Sequence, residues 1–370
     1  MRKKVLIICE TLSGGVRKHI INILQYLSPE KFEIAIAYGE NRTDEIFLDF
    51  AHKNIERFTF YPISAFVREV KVFQDLKAIM QLNSIIKDFQ PEIIHCHSSK
   101  AGGAGRLAAL FYKSRKIIYT PHGYIMQYPY INKQKKRVFG LIEKYLGKIT
   151  DYTINVSKGE QAIGLHYNVF CSHKSEVIYN GVEEKELGGR LITKGNRKIV
   201  VGTLARFDQS KDPKTFLEIA ILIVGLHPNV EVWYAGDGDY FKEEFLEAIK
   251  EIPQIKYCGF LSSIDPFLSE IDIYLSTSLH EALPYSIIEA MAMKKPIVAS
   301  NVEGNNELVI HRYNGYLYTP GDVSQAAAYL YKLINDKSEI DRFQKNSYQL
   351  FKEKFHIQNM INRLEEVYEK

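Results

Sequence analysis

Glu281 and Glu289 lie eight residues apart in the run His280-Glu281-Ala282-Leu283-Pro284-Tyr285-Ser286-Ile287-Ile288-Glu289-Ala290-Met291-Ala292. In one continuous helix, positions so spaced are rotated by roughly 80° from each other. They serve one ligand only if a turn separates them. The surrounding residues offer that turn: Ile273-Tyr274-Leu275-Ser276 is short, apolar and strand-forming, Pro284 suits an early helical position, and Ile287 to Met293 has helical spacing. A strand–turn–helix unit aims the unpaired N–H groups of the helix start at one point and favours an anion such as phosphate there. Carboxylates on either side can then accept paired hydroxyls of a sugar or ribose. A solvated loop glutamate and a solvated helix glutamate form the competing reading.

A second junction of this kind carries cations. Ile199-Val200-Val201-Gly202-Thr203-Leu204 reads as a strand, followed by Arg206 and Lys211 before a helix from Lys214 to Val224. Arginine suits bidentate contact with a diphosphate and lysine acts as a point charge. In the first half, Gly14-Gly15 follows the strand Lys4 to Cys9 and lets backbone approach a ligand, although without G-x-G-x-x-G a plain tight turn remains slightly favoured. Ile93-Ile94-His95-Cys96-His97 and Ile117-Ile118-Tyr119-Thr120-Pro121-His122-Gly123 are strands ending in polar residues, so Gly15, His97 and His122 converge at the carboxyl ends of a parallel sheet. His95 and His97 share one strand face. No third ligand follows at metal-site spacing, so they read as packing or hydrogen-bonding histidines and no metal is assigned. Asp237-Gly238-Asp239 could hold a divalent cation, but directly after Ala235-Gly236 it reads as a tight acidic turn.

The elements that position these residues alternate in α/β rhythm. An amphipathic helix carries Ile20, Ile23, Leu24 and Leu27; Phe32 to Tyr38 is a strand; Val72 to Phe89 is a helix; Gly102-Gly103-Ala104-Gly105 opens the helix Arg106 to Tyr112. A loop from Tyr124 to Arg137, rich in Tyr and Lys, leads to a helix from Val138 to Leu146; this basic amphipathic element suits an anionic membrane surface, with a solvated charged loop as the competing reading. Ser157-Lys158-Gly159-Glu160 has the capping-box pattern. Residues 183–197, charged and glycine-bearing, read as a linker, after which the rhythm restarts. Apolar residues at Ile357, Met360, Ile361, Leu364 and Val367 mark a last helix.

The 370 residues suffice for two full cores. No apolar run approaches the ~20 residues that span a bilayer. Four separated cysteines without Cys-x-x-Cys point to reduced thiols and a cytoplasmic location. Residues 1 to 190 carry 28 Lys+Arg against 19 Asp+Glu and the remainder 20 against 25, so a net +9 faces a net −5. The basic half is expected near an anionic lipid or substrate; no nucleic-acid reader motif accompanies it.

Taken together, Gly14-Gly15, Thr120-Pro121-His122-Gly123, Asn180-Gly181-Val182, Gly202-Thr203-Leu204-Ala205-Arg206-Phe207 with Lys211-Asp212, Ala235-Gly236-Asp237-Gly238, and the Glu281 to Ala292 run with Lys295-Pro296-Ile297-Val298-Ala299 resemble glycosyltransferase family 4, nearest to bacterial capsule, exopolysaccharide or lipopolysaccharide members. The resemblance implies an α/β GT-B fold of two Rossmann-like domains. Residues 1–185 would bind the acceptor, 196–350 the nucleotide-sugar donor, and 351–370 would form a helix returning to the first domain. It also implies retention of anomeric configuration, no metal or other cofactor, a UDP-sugar as the expected donor, and a glycan or polyprenyl-linked acceptor at the inner face of the membrane.

Carried over by position, Arg206 and Lys211 would neutralise the diphosphate, Glu281 would contact the transferred sugar, and His122 would lie beside the anomeric centre. Donor contacts would further include Gly15, Gly259, Phe260, Leu261, Leu283, Pro284, Tyr285, Ser286 and Glu289, the last on the ribose. Gly14, His97 and Tyr124 would face the acceptor. Ala282 and Pro284 depart from the family's usual glycines, which leaves the loop's phosphate contact open. Stabilising the leaving diphosphate is then the main catalytic task, and a front-face reaction needs no nucleophile. Two rival readings remain: a GT-B epimerase acting on a UDP-sugar, which needs acid/base carboxylates in the first half where none stands out, and a non-catalytic nucleotide-sugar binder.

Overall fold

A computed structural model of the chain describes residues 2–67, 69–112, 115–185 and 198–370. Among these residues the first sheet contains β1 (Lys3–Cys9), β2 (Phe32–Gly39), β3 (Thr59–Ile63), β4 (Ile93–His97), β5 (Lys116–Thr120), β6 (Tyr152–Asn155) and β7 (Ser175–Val177) in the order β3-β2-β1-β4-β5-β6-β7. The second contains β8 (Ile199–Leu204), β9 (Val230–Ala235), β10 (Ile255–Gly259), β11 (Ile273–Ser276), β12 (Ile297–Ser300) and β13 (Gly315–Tyr318) in the order β10-β9-β8-β11-β12-β13. All the pairings between these strands are parallel. A parallel sheet is covered on both faces, which is why Val5-Leu6-Ile7-Ile8 is an unbroken apolar run with every side chain fully buried. Strand order reverses between β1 and β4 and between β8 and β11, the places where such sheets open a crevice at their carboxyl ends.

The chain divides into two compact units, residues 1–180 with 357–370, and residues 181–356. These limits differ from those expected at 185, 196 and 350. Val182 N–H donates to the Phe355 carbonyl at 3.0 Å and Lys185 pairs with Asp265, so residues 181–185 attach to the second unit. Residues 351–355 continue the helix Lys337–Leu350 as a π turn and stay with that unit too. The returning helix starts at Ile357. It buries Ile357, Met360, Ile361, Leu364, Val367 and Tyr368 in the core below β1 and β2, each contributing roughly 1.5–3 kcal/mol. Of the linker read at 183–197, residues 186–197 lie outside the described residues.

Two local expectations change. The glycine run does not open a helix, since the helix Ser99–Ala109 already contains it. A Cβ on Gly102 would stand 2.4 Å from the Tyr119 ring and one on Gly105 2.5 Å from Cys96 Sγ, so these glycines let the helix lie close on the sheet. Next to them the fully buried Arg106 donates to Glu143 at 2.8 Å and lies over the Tyr119 ring at 3.8 Å. The basic residues after Tyr130 are helical, because Asn132 caps the helix Lys133–Gly147 by accepting the Lys135 N–H.

Candidate active site

In the second unit two loops meet at the reversal between β8 and β11. Asp208 Oδ1 accepts from Ser210 N–H at 2.9 Å, Lys211 N–H at 3.2 Å and the Ser210 hydroxyl at 2.5 Å, which folds the loop after β8. Asp212 then caps the helix Pro213–Leu226 by accepting the Thr215 N–H. The loop after β11 is stitched to this one. Leu279 N–H donates to the Ser210 carbonyl and the Thr277 hydroxyl to the Lys211 carbonyl, both at 2.7 Å.

Held in this way, Lys211 Nζ lies 2.5 Å from Glu281 Oε1, which also accepts the Ser278 hydroxyl at 2.6 Å. Tyr274, Ser276, Ser278 and Ser286 join this pair around a small polar depression. The Tyr274 hydroxyl is bonded to Leu204 backbone, and burial pushes its pKa up to about 12, so at neutral pH it remains a neutral donor. Beside the depression begins the helix Tyr285–Ala292, whose first N–H groups receive no side-chain cap from Pro284.

The structure therefore brings Lys211, Glu281 and Ser286 together, and leaves other expected residues apart from them. The Arg206 side chain is 65% exposed, pairs with Asp208 at 3.0 Å and does not line the depression, because the loop turns it outward. Leu283, Pro284 and Tyr285 are buried, and Glu289 is buried in the second turn of the helix. Gly259 ends β10 at a register shift with φ +71°, leaving Phe260 exposed and Leu261 half-buried. The acidic turn is a packing device: a Cβ on Gly236 would meet the Ala205 carbonyl at 1.9 Å, and Asp237 pairs with Lys242. Sequence reasoning missed Ser278 and Gly304. A Cβ on Gly304, at φ +83°, would stand 2.7 Å from the Ala282 carbonyl, so this glycine fixes the Glu281 loop. Its place in a short turn after β12 was the available signal.

In the first unit Gly14, at φ +57°, and Gly15 begin the helix Gly14–Tyr26 and are exposed. One turn on, His19 enters the interior, its Nδ1 3.1 Å from Asn180 Oδ1. His97 Nδ1 lies 3.0 Å from His122 Nε2, with the rings stacked at 5.2 Å. His122 has φ +56°, and Glu160 holds its turn by accepting Gly123 N–H at 2.5 Å and Val156 N–H at 2.7 Å. The capping pattern at Ser157 thus has a second use that its sequence does not announce. His95 is bonded on both ring nitrogens, to Tyr368 at 2.7 Å and Thr120 at 2.8 Å. Burial brings His19 down to about 4 and holds His95, His97 and His122 well below the ordinary histidine value, so all four are neutral at neutral pH.

Two expectations fail here. Tyr124 is fully buried against Tyr119 because the Gly123 turn folds it into the core, so its side chain cannot face an acceptor. A third histidine does stand near His97, namely His19, brought from a different element and invisible to spacing along β4.

Residues 13–186 match the family model described as Glycosyltransferase Family 4, and residues 191–350 match the one described as Glycosyl transferases group 1. The chain is 25% identical over 372 residues to a UDP-Gal:alpha-D-GlcNAc-diphosphoundecaprenol alpha-1,3-galactosyltransferase of Escherichia coli, covering 96% of this chain and 94% of that one. It is 23% identical to the capsular polysaccharide biosynthesis glycosyltransferase CapM of Staphylococcus aureus, covering 81% and 82%. Its fold is similar to that of Anabaena HepE, solved with UDP-glucose, at a TM-score of 0.79 and 19% identity over 99% of each chain. Sucrose-phosphate synthase of Thermosynechococcus elongatus gives 0.82 at 16% identity, covering 100% and 98%. The chain belongs to the glycosyltransferases of GT-B fold, with a family 4 domain in its first half and a group 1 domain in its second.

Proposed function

We propose that the protein moves a hexosyl group from a UDP-sugar to a hydroxyl of a lipid-diphosphate-linked saccharide, with retention and without a metal cofactor. The observation that carries this is the Lys211–Glu281–Ser278 cluster beside the uncapped start of the helix Tyr285–Ala292. A diphosphate entering there exchanges into the Lys211 ion pair and meets helix N–H groups. As the bond from C1 to the diphosphate oxygen breaks, the charge on that oxygen is met by these preorganised donors. The acceptor oxygen bonds to C1 on the same face, and its proton passes to the departing phosphate oxygen. Glu281 accepts a hydroxyl of the sugar, Glu289 the ribose hydroxyls, and the exposed Phe260 offers a surface for the base. Arg206 can join because an exposed ion pair such as that with Asp208 is worth only about 0–1 kcal/mol. His122 and His97 contribute neutral imidazoles on the acceptor side, with Gly14 and Gly15 opening the backbone beside them.

A membrane-surface acceptor is supported by the helix Lys133–Gly147, which exposes Val138, Leu141, Ile142 and Tyr145 beside Lys133, Lys135, Lys136 and Arg137. No helix among the described residues is long and apolar enough to cross a membrane. The test is release of UDP from a panel of UDP-sugars, with and without undecaprenyl-diphosphate-linked saccharides. Acceptor-dependent release with an α-linked product from an α-linked donor is expected. An epimer formed without acceptor, or tight binding without turnover on any acceptor, would overturn the proposal.

A further inference from the structure

Three imidazoles from separate elements face one another in the first unit. His19, His97 and His122 each offer a ring nitrogen, and these atoms lie within 4.8 Å of one another. His97 and His122 already stand 3.0 Å apart. Two nitrogens bound to tetrahedral zinc at 2.0–2.1 Å are about 3.3 Å apart, so a set already within 4.8 Å needs to close by roughly 1.5 Å at most.

A second observation points to a missing partner. His97 is fully buried, and its Nε2 has no hydrogen-bond partner. Leaving a buried polar atom unsatisfied costs about 1–3 kcal/mol, and ligation removes that cost. His19 Nδ1 lies 3.1 Å from the Asn180 amide oxygen, a contact of the kind that orients histidine ligands in metal sites. His95, 3.9 Å from His97 between ring centres, is occupied on both nitrogens and forms a wall of the cluster. His122 is only half-buried, which leaves solvent access for a fourth ligand.

We propose that this cluster binds one zinc-class transition-metal ion through His19, His97 and His122, with water in the fourth position. An all-imidazole set excludes magnesium and calcium, which take oxygen ligands. The ion is an inhibitor. On the reading above, which this consequence alone depends on, ligation removes His122 from the acceptor side.

The test uses the full chain, stripped with chelator, and Co²⁺ as the spectroscopic probe. One Co²⁺ per chain is expected, with the intense visible bands of a four-coordinate site. His97→Ala and His122→Gln, checked for folding by thermal unfolding, should each weaken binding at least ~10-fold. His166→Ala and His173→Ala, on exposed residues, should not. A spectrum that stays that of hydrated Co²⁺, or equal binding by His19→Ala and wild type, overturns the site. Zn²⁺ that fills the site while UDP-sugar transfer continues at full rate overturns the inhibition alone. Absence of transfer with every donor would count against the enzyme reading and leave the binding result standing.

Discussion

Replacing Lys211 with methionine separates a structural role from a catalytic one. Nζ lies 2.5 Å from Glu281 Oε1, and the two side chains are 20% and 11% exposed. Methionine keeps the stem and removes the charge, so Glu281 retains the Ser278 hydroxyl but loses its counter-ion. Stranding one partner of a fully buried pair costs about 3–5 kcal/mol; partial solvent access brings the expected loss here nearer 2 kcal/mol. Adding Glu281→Gln removes the stranded charge, so the double variant recovers most of the lost stability. Turnover behaves differently. Losing a preorganised cation at the departing diphosphate costs about 10²–10³ in kcat, and glutamine at 281 cannot restore it. Urea melts of the four proteins of the cycle and UDP release under saturating donor give both readings. If Lys211→Met turns over within about threefold of wild type, or if the double variant regains rate together with stability, Lys211 is only the counter-ion of Glu281.

Three further outcomes are expected. Gly304→Ala forces a Cβ against the Ala282 carbonyl at φ +83°, so it should lose about 1–3 kcal/mol and weaken UDP binding; unchanged melts and titration calorimetry would show that the loop yields. Burial pushes the Cys9 and Cys96 thiols up to about 12 while Cys171 is exposed, so iodoacetamide at neutral pH should label Cys171 first, as read by peptide mass spectrometry. Burial works to raise the Glu231 carboxyl, but hydrogen bonds from Lys256, Lys198 and Trp233 bring it from the ordinary 4.5 down to about 2. A depressed value in the folded state contributes stability above 4.5 that is lost as the pH falls toward 2. Denaturation at about pH 5 and pH 3 should therefore show a steeper loss in wild type than in Glu231→Gln, with Trp233, the chain's one tryptophan, as fluorescence reporter; parallel losses would contradict it.

The two α/β units and their strand–turn–helix junctions are legible because parallel strands are buried on both faces and read as apolar runs ending in polar turns. Lys211 and Glu281 are found this way. Arg206 is not, since a cation after a strand looks the same whether its loop turns it inward or toward Asp208. Tyr124 illustrates the same limit after a glycine turn. Gly102 and Gly105 read as the opening of a helix, and only the Tyr119 ring and Cys96 thiol opposite them reveal a packing role. His19 is one helical turn beyond Gly15 and looks like an ordinary buried polar residue; its meeting with His97 and His122 belongs to tertiary structure alone.

A crystal structure with UDP bound tests the central claim most directly. The account predicts a phosphate oxygen about 3 Å from Lys211 Nζ, the diphosphate at the start of the helix Tyr285–Ala292, and the uracil beside Phe260 and Leu261. UDP bound elsewhere, with Lys211 still paired to Glu281 and no phosphate at that helix start, would contradict it.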